Sequence, residues 1–363
     1  MENSSEDYKK GVYISTYGCQ MNDNDTERMY SLLEISNFTP VTAPEQADLI
    51  IINSCSVREK PVHKVHSEVG RYKKLKKKNP HLKIGVGGCV GSQEKSKLTL
   101  DQPLIDFVFG PDNIDELPQI VSKAYTADGK VVQAKFYNNE PYLVENMVRN
   151  PGISTFVNIT KGCDNFCTFC VVPFTRGRER SRDPQSIIEE VNDLWNKGFK
   201  EITLLGQNVD SYLWYGGGLK KDFSKASDIQ KATAVNFSQL LELCAKAQPK
   251  MRIRFSTSNP QDLTLDVIET MAKFDNICKH IHLPVQSGSN RILKEMNRLH
   301  TREEYFELID NIRRILPECA ISQDLIAGFP TETEQDHQDT LSLMDYVKYN
   351  FGYMFTYSER PGT

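Results

Sequence analysis

Hydrophobic residues occur along the chain in short continuous runs separated by longer amphipathic stretches. In residues 9–125 the short runs are rich in β-branched residues, which predicts strands buried on both faces of a sheet. The stretches between them predict helices, and the βαβαβ order favours an open parallel sheet with helices on both faces. The predicted strands are Val12–Thr16, Leu49–Ile52, Leu82–Val86 and Phe107–Phe109, and the predicted helices are Asp25–Ile35, Lys60–Lys78 and Ile114–Ala124.

The same alternation resumes after residue 150 and continues to the end of the sequence. Strand-like runs follow one another with helical stretches between them, and polar clusters follow the runs. This order favours a partial (β/α)6 barrel whose site lies at the C-terminal ends of its parallel strands. The six predicted strands are Phe156–Ile159, Glu201–Leu205, Arg252–Ser256, His280–Pro284, Ile321–Ile326 and Tyr353–Tyr357.

The pattern therefore predicts an α/β protein with two domains, at residues 9–125 and 151–363. At 363 residues the chain is long enough for each domain to bury its own core. Residues 126–150 contain turn-forming residues and are expected to be a linker with room for one hairpin. Residues 215–236 are rich in glycine and lysine and are expected to form an exposed insertion.

Composition limits the compartment and the partners. The polar, acidic start of the sequence does not resemble a signal peptide, and no run of 18 apolar residues predicts a membrane span. Nine cysteines in such a chain indicate a reducing, cytoplasmic location with metal or redox chemistry. The net charge of −4 leaves room for nucleic acid only at a local basic patch.

The strongest chemical pattern is the loop that carries Cys163, Cys167 and Cys170. Three thiolates at these spacings can bind three corners of a four-iron cluster and leave the fourth iron open to a small molecule. A structural zinc site requires four closed ligands, usually in two pairs, and neither histidine nor a second pair is present in the loop. A disulfide is less expected still, since nothing marks the chain as secreted.

Three further cysteines lie at positions that suggest a second site. Cys19, Cys55 and Cys89 each lie just past the C-terminal end of a different predicted strand. In a parallel sheet these ends share one edge, where ligands bind in open α/β folds. Independent buried cysteines are a common alternative. Because all three follow strand ends, we expect them to converge on a second cluster with an open iron, whereas Cys244, Cys278 and Cys319 are expected to be inert.

Seven motifs, taken together, resemble one family across nearly the whole chain. They are Thr16–Asn22, Asn53–Arg58, Gly162–Cys170, Thr175–Arg182, Leu205–Asn208, His282–Gly288 and Asp324–Pro330. The C-x-x-x-C-x-x-C loop, with Phe169 before its last cysteine, resembles that of the radical S-adenosylmethionine (SAM) enzymes. The whole set resembles the radical SAM tRNA methylthiotransferases of the MiaB type. These also carry a C-terminal RNA-binding TRAM domain, which this sequence is expected to lack.

The resemblance implies a transferase that uses SAM and two [4Fe-4S] clusters. It implies that the cluster at Cys163, Cys167 and Cys170 cleaves one SAM to a 5′-deoxyadenosyl radical, which takes the C2 hydrogen of N6-isopentenyladenosine 37 in tRNA. It further implies that the other cluster carries a sulfide methylated by a second SAM. The residues expected to hold SAM are Phe169, Gly206, Gln207, Asn208, Ser256, Gln286, Ser287, Asp324 and Ile326.

The expected partners are the isopentenylated anticodon stem-loop, an external electron donor and a sulfur source. No membrane partner is expected, and the protein is expected to be a monomer. Four arginines after the cluster loop are expected to contact tRNA phosphates, in preference to the basic run at 71–78. They are Arg176, Arg178, Arg180 and Arg182. Alternatives are a sister methylthiotransferase acting on threonylcarbamoyl-adenosine or a ribosomal protein, an iron-sulfur electron carrier, and a zinc-dependent RNA-binding module.

Overall fold

The structure is a computed structural model that describes residues 9–56, 59–137, 142 and 151–363, without the side chains of residues 59–62. The chain forms two compact units. The first comprises the described residues up to Tyr137 together with Phe174–Arg176, and the second contains Pro151–Pro173 and Gly177–Thr363. Helix α7 (Val172–Arg176) therefore ends in the first unit.

The first unit is built on one sheet of six strands that all run parallel. The strands are β1 (Lys10–Tyr17), β2 (Phe38–Pro40), β3 (Leu49–Ser54), β4 (Lys83–Gly87), β5 (Phe107–Phe109) and β6 (Val131–Gln133). The helices are α1 (Gln20–Ile35), α2 (Glu59–Arg71), α3 (Lys73–Lys78), α4 (Cys89–Glu94), α5 (Ser96–Asp101) and α6 (Leu117–Thr126). The strand order is β2-β1-β3-β4-β5-β6.

Two separate cores cover the two faces of this sheet. Leu49 and Ile51 of β3 pack in the core that includes residues of α1 and α6, whereas Ile50 and Ile52 pack in the core that includes residues of α2. A strand with helices on both faces must be apolar at successive positions, which explains the continuous run in its sequence. This confirms the expected parallel sheet with helices on both faces.

Two edge strands were not predicted from the sequence. Strand β2 is three residues long, and β6 pairs in parallel with β5 inside the segment expected to be a linker. Such short strands show too few positions for a hydrophobic pattern to identify them. The expected helix at 60–78 is also divided, because Tyr72 separates α2 from α3. Residues 138–141 and 143–150 of the expected linker lie outside the described residues.

The strands of the second unit are β7 (Ser154–Asn158), β8 (Thr160–Lys161), β9 (Arg180–Ser181), β10 (Glu201–Leu205), β11 (Leu213–Trp214), β12 (Val235–Asn236), β13 (Arg252–Ser256), β14 (His280–His282), β15 (Ala320–Ala327) and β16 (Phe351–Thr356). Six of them form two parallel three-stranded sheets, with orders β13-β10-β7 and β14-β15-β16. A parallel bridge between Ile253 and Ile277 connects β13 to the segment just before β14. The six strands therefore follow one another in chain order, as in the expected partial barrel.

Helices between these strands supply the other side of a large apolar core. Their polar N-terminal caps mark where they begin; Thr301 and Thr333 each form a reciprocal capping box with the acidic residue three positions later. The helices are α8 (Pro184–Asn196), α9 (Asp228–Ala232), α10 (Phe237–Ala247), α11 (Leu265–Lys273), α12 (Asn290–Glu295), α13 (Arg302–Ile315) and α14 (Glu334–Val347).

The glycine-rich insertion at 215–236 is folded. Gly216, Gly217 and Gly218 have φ angles of 95°, 101° and 99°, a conformation that glycine adopts without strain. They form a sharp turn after β11, which pairs with β12 in an antiparallel ladder. Within the part of the chain that the structure describes, no helix has the length and apolarity that crossing a membrane requires.

Candidate metal and cofactor sites

The structure brings the three cysteines of the first unit together. Cys19, Cys55 and Cys89 follow β1, β3 and β4, which are neighbours in the sheet. The Cys55 thiol lies within hydrogen-bonding reach of both other cysteines. Cys55 and Cys89 are buried, whereas Cys19 is exposed. Three side chains from distant parts of the sequence thus form one group of thiols at the C-terminal edge of the sheet.

In this group of three thiols the pKa of two is lowered, which favours the thiolate form that metals bind. The hydrogen bond from Cys55 lowers the pKa of Cys19 to about 6 and that of Cys89 to about 6, against the opposing effect of burial. The same hydrogen bonds raise the pKa of Cys55. Arg176 also lowers the pKa of Cys19 and Cys89 by its charge. Since thiolate sulfur is the form that binds iron, these three residues fit the expected cluster.

Two glycines allow the strand ends to approach each other this closely. Gly18 precedes Cys19, and a Cβ atom on it would lie 2.5 Å from Cβ of Cys55. Gly88 precedes Cys89 with φ 81° and ψ −161°, and a Cβ atom there would lie 2.4 Å from Oδ1 of Asn53. This backbone region is essentially restricted to glycine. The buried Asn22 and Asn53 side chains are joined by a hydrogen bond of 3.2 Å.

We expect Gly88→Ala to remove the iron of this site while leaving the second unit folded. The substitution adds about 1–3 kcal/mol of backbone strain, and its Cβ would also displace Asn53. Iron content and thermal unfolding of reconstituted protein measure the effect. The matched control is Gly70→Ala in α2, because a Cβ there meets nothing within 4 Å. Full iron content in the Gly88→Ala protein would contradict this account of the site.

The other three cysteines lie on a loop of the second unit with hydrogen bonds at its start and within it. The loop follows β8, and the Gly162 amide donates a hydrogen bond to Oε1 of Gln207. The amide of Cys170 donates to the carbonyl of Cys167 at 3.0 Å. Burial raises the pKa of Cys163, with smaller contributions from Glu179 and the other two cysteines. Cys167 and Cys170 therefore lie near enough to Cys163 for their charges to act on its thiol.

A segment that follows α12 supports this loop from another part of the unit. The side-chain amide of Asn297 donates to the carbonyls of Asn165 and Phe166 at 3.1 and 3.0 Å. Nη1 of Arg298 lies 3.7 Å from Sγ of Cys167, and the amide of Thr168 donates to the carbonyl of Met296. Reasoning from the sequence missed Asn297 and Arg298, which lie more than 120 residues beyond the cysteines.

The buried polar residues expected to hold SAM differ in whether their side chains already have hydrogen-bond partners. At the end of β10, Gln207 and Asn208 have buried atoms, Nε2 and Oδ1, without hydrogen-bond partners among the described residues. Such atoms require a partner, so they fit a polar ligand such as SAM. Ser287 differs, because its fully buried hydroxyl accepts from the Ser289 amide at 3.2 Å and thereby stabilises its own turn.

The remaining SAM candidates stay predictions. Phe169 and Ile326 pack against the same small apolar cluster in the second unit. Gln286 has φ 73°, and its amide donates to the carbonyl of Asp324 at 2.9 Å. Gly206 is buried where a Cβ atom would lie 2.0 Å from Oγ1 of Thr160. Ser256 is the last residue of β13.

Three of the four arginines expected to contact phosphates are buried in the structure. Arg176, Arg180 and Arg182 are 3%, 4% and 2% exposed, so their guanidinium groups do not face the solvent. Arg182 bonds the side chains of Ser186 and Glu190. Arg178 is only half-buried and donates to Asp164 of the cysteine loop at 2.6 Å. The RNA contact of Arg178 stays a prediction.

Two family models match the chain. One is described as uncharacterized protein family UPF0004 and matches residues 11–110, and the other is the radical SAM superfamily and matches residues 157–344. The solved structure of TsrM, a radical SAM methyltransferase from Kitasatospora setae, has a TM-score of 0.65 with 13% identity, covering 96% of this chain and 75% of that one. This likeness shows the fold.

Curated relatives match over nearly the whole chain at much higher identity. The tRNA-2-methylthio-N(6)-dimethylallyladenosine synthase of Christiangramia forsetii is 61% identical over 97% of this chain and 73% of its own length. The protein of the same name from Bdellovibrio bacteriovorus is 55% identical over 98% of this chain and 75% of its own length. The chain belongs to the tRNA-2-methylthio-N(6)-dimethylallyladenosine synthase family.

As a member of this synthase family, the protein is a radical SAM transferase that uses SAM and [4Fe-4S] chemistry. Among the residues described, no group of three or more His, Cys, Asp or Glu side chains is arranged to hold a single metal ion. The assignment of cluster ligands therefore rests on the two groups of thiols and on the family.

Two buried acids of this synthase, Glu179 and Asp210, were not predicted from the sequence. Burial raises the pKa of Glu179 to about 7 and that of Asp210 to about 8. Glu179 accepts a hydrogen bond from Ser211, and Asp210 accepts from the amide of Asn259 at 3.0 Å. Glu179 lies near enough to Cys163 for its charge to act on that thiol, and Asp210 follows β10 in the sequence. No spacing in the sequence distinguishes them from surface acids.

Proposed function

We propose that this chain transfers a methylthio group to C2 of N6-isopentenyladenosine at position 37 of tRNA. The observation that carries the proposal is the presence of two separate groups of three cysteines. Cys163, Cys167 and Cys170 form one in the second unit, and the thiols after β1, β3 and β4 form the other in the first. A single-cluster radical enzyme requires only the first group, whereas insertion of sulfur also requires a sulfur carrier.

The chain's own residues would bind and orient the reacting groups. When bound, SAM and the two clusters would supply one-electron cleavage of SAM, removal of the C2 hydrogen and a sulfur atom for transfer. The three loop thiolates would hold one cluster, and Asn297 and Arg298 would fix the loop that carries it. Gln207 and Asn208 have unsatisfied buried atoms with which to orient SAM.

We further propose an external electron donor, a separate sulfur source and a monomeric protein in the cytoplasm. The two partners follow from the chemistry, because SAM cleavage needs an electron to begin and each product carries away a sulfur atom that the chain does not itself provide. For tRNA, Arg178 is the arginine of the predicted set whose side chain is not fully buried, so we propose it as a phosphate contact.

The test is anaerobic turnover of three anticodon stem-loops with SAM and a strong reductant, read by nucleoside mass spectrometry. We expect methylthiolated product from the isopentenylated stem-loop and at least about 100-fold less from one with unmodified adenosine. The reason is that the apolar group positions C2, and small misplacements greatly slow radical transfer.

The third stem-loop carries threonylcarbamoyl-adenosine and represents the sister branch. Faster turnover of that substrate would replace the proposed substrate with the sister one. Absence of SAM cleavage with every stem-loop would instead favour an electron carrier. Equal turnover of the isopentenylated and unmodified stem-loops would contradict the proposed specificity.

A further inference from the structure

A buried ion pair lies beside the three cysteines of the first unit. Nη2 of Arg176 is 2.8 Å from Oδ2 of Asp25, and the two residues are 3% and 5% exposed. Asp25 lies on α1, which begins directly after Cys19. Because replacing a well-packed apolar pair by such ions rarely adds stability, a buried pair at this position calls for a specific role.

The charge of Arg176 is directed at the thiols as well as at Asp25. Its guanidinium lies within hydrogen-bonding reach of the Cys89 thiol and near Cys19. Arginine is not deprotonated in proteins, so this positive charge is fixed.

One donor atom of the guanidinium remains available for a further group. Nη1 of Arg176 is buried and has no hydrogen-bond partner among the described residues. An unsatisfied buried donor typically costs about 1–3 kcal/mol, so its persistence indicates that something bonds it in the loaded protein. A guanidinium presents donors in a rigid fork that suits anions, and Asp25 occupies only one part of this fork.

We propose that Arg176, held by Asp25, is a positioning residue for the anionic sulfur carried at the Cys19, Cys55 and Cys89 site. The inference rests on the proposed function, since it requires a cluster with an open iron at these thiols. Three thiolates and a sulfide bring several negative charges into a largely buried site, where one fixed cation offsets much of their mutual repulsion. The same residue was expected from sequence to bind RNA, and its burial assigns it to this different anion.

The experiment uses the full chain with Cys163, Cys167 and Cys170 replaced by alanine, so that only the first unit can hold iron. In this parent we compare Arg176→Gln, Arg176→Lys and Asp25→Asn. The matched control is Arg28→Gln. It removes a different buried arginine, which lies on α1 and pairs with Asp115. The measurements are iron content, the midpoint potential of the cluster, and the affinity for added sodium sulfide followed by absorption and electron paramagnetic resonance.

Arg176→Gln is expected to weaken sulfide binding at least about tenfold and to lower the midpoint potential. Removing a nearby cation disfavours the more negative reduced state; a tenfold change in this one-electron equilibrium corresponds to about 59 mV. Arg176→Lys should restore most of the potential and part of the affinity. Asp25→Asn should raise the potential, because it removes an anion, yet still weaken sulfide binding, because Arg176 loses its anchor. A pair that only stabilises the fold would leave the sulfide affinity of the iron-loaded protein unchanged in both variants, whatever the sign of the potential shift.

If Arg176→Gln has the same midpoint potential and sulfide affinity as Arg28→Gln, the inference is overturned and the proposed function is unaffected. If the Arg176→Gln protein takes up no iron, the Asp25→Asn protein provides the test. Weaker sulfide binding by Asp25→Asn supports the inference, and unchanged sulfide binding overturns it. If the parent protein itself takes up no iron, the second cluster of the proposed function is refuted, and this inference falls with it.

Discussion

Replacement of Cys163, Cys167 and Cys170 together by alanine is expected to abolish SAM cleavage and to remove about half of the iron. Full reconstitution should give about eight irons, four for each group of cysteines. In the proposed function the loop thiolates hold the iron on which SAM is cleaved, whereas the other three thiols lie in the separate first unit. Iron analysis and chromatography of 5′-deoxyadenosine measure the two effects.

The matched control replaces the other three cysteines of the second unit, Cys244, Cys278 and Cys319. Cys244 is fully buried in the apolar core, where burial raises its pKa to about 12. A thiol in this state is inert, so the control should keep about eight irons and its SAM cleavage, at a modest loss of stability. SAM cleavage that survives in the loop variant would refute the assignment of the radical cluster.

Cys55→Ala is expected to separate the two halves of the reaction. The variant should still form 5′-deoxyadenosine but yield no methylthiolated adenosine. Cys55 is the central thiol of its group, because it reaches both Cys19 and Cys89. Its loss leaves two ligands at the sulfur-carrying site and does not touch the cysteine loop of the second unit. The assay follows both products in the same anaerobic reaction with the isopentenylated stem-loop.

A control for this prediction is Ser56→Ala, which changes the neighbouring buried residue and leaves all three thiols in place. It should make both products at near the original ratio. Methylthiolated product from the Cys55→Ala protein at the rate of the unaltered enzyme would show that the first unit does not carry the sulfur. Loss of both products would show that the two sites depend on each other for assembly.

The fold was predictable wherever a strand is long and apolar. Glu201–Leu205 and Arg252–Ser256 have the predicted bounds, and all six barrel strands were placed within a few residues. The cysteines were also predictable, because a ligand that follows each strand of a parallel sheet must lie at one edge. Periodicity and position are local properties of the sequence, and these predictions required nothing more.

The supporting residues could not be predicted in the same way. Arg176 lies in an arginine-rich segment typical of RNA binding, and only tertiary structure shows that its side chain is buried against Asp25. Asn297 and Arg298 meet the cysteine loop from a segment more than 120 residues away. Contacts of this kind depend on how helices and loops return to the strand ends, which no spacing in a single sequence encodes.

The two groups of cysteines differ in how much of the chain must be ordered before each can bind iron. Cys163 to Cys170 lie within one loop, so a short segment already contains all three ligands. Cys19, Cys55 and Cys89 are separated by 36 and 34 residues and meet only when β1, β3 and β4 have paired in parallel. Since closing such long loops has an entropic cost that folding must first offset, the sheet forms before its ligand set exists. Metal that binds the finished set and not the unfolded chain then stabilises the sheet by mass action. On the proposed assignment, iron would therefore stabilise the folded first unit in addition to supplying its chemistry.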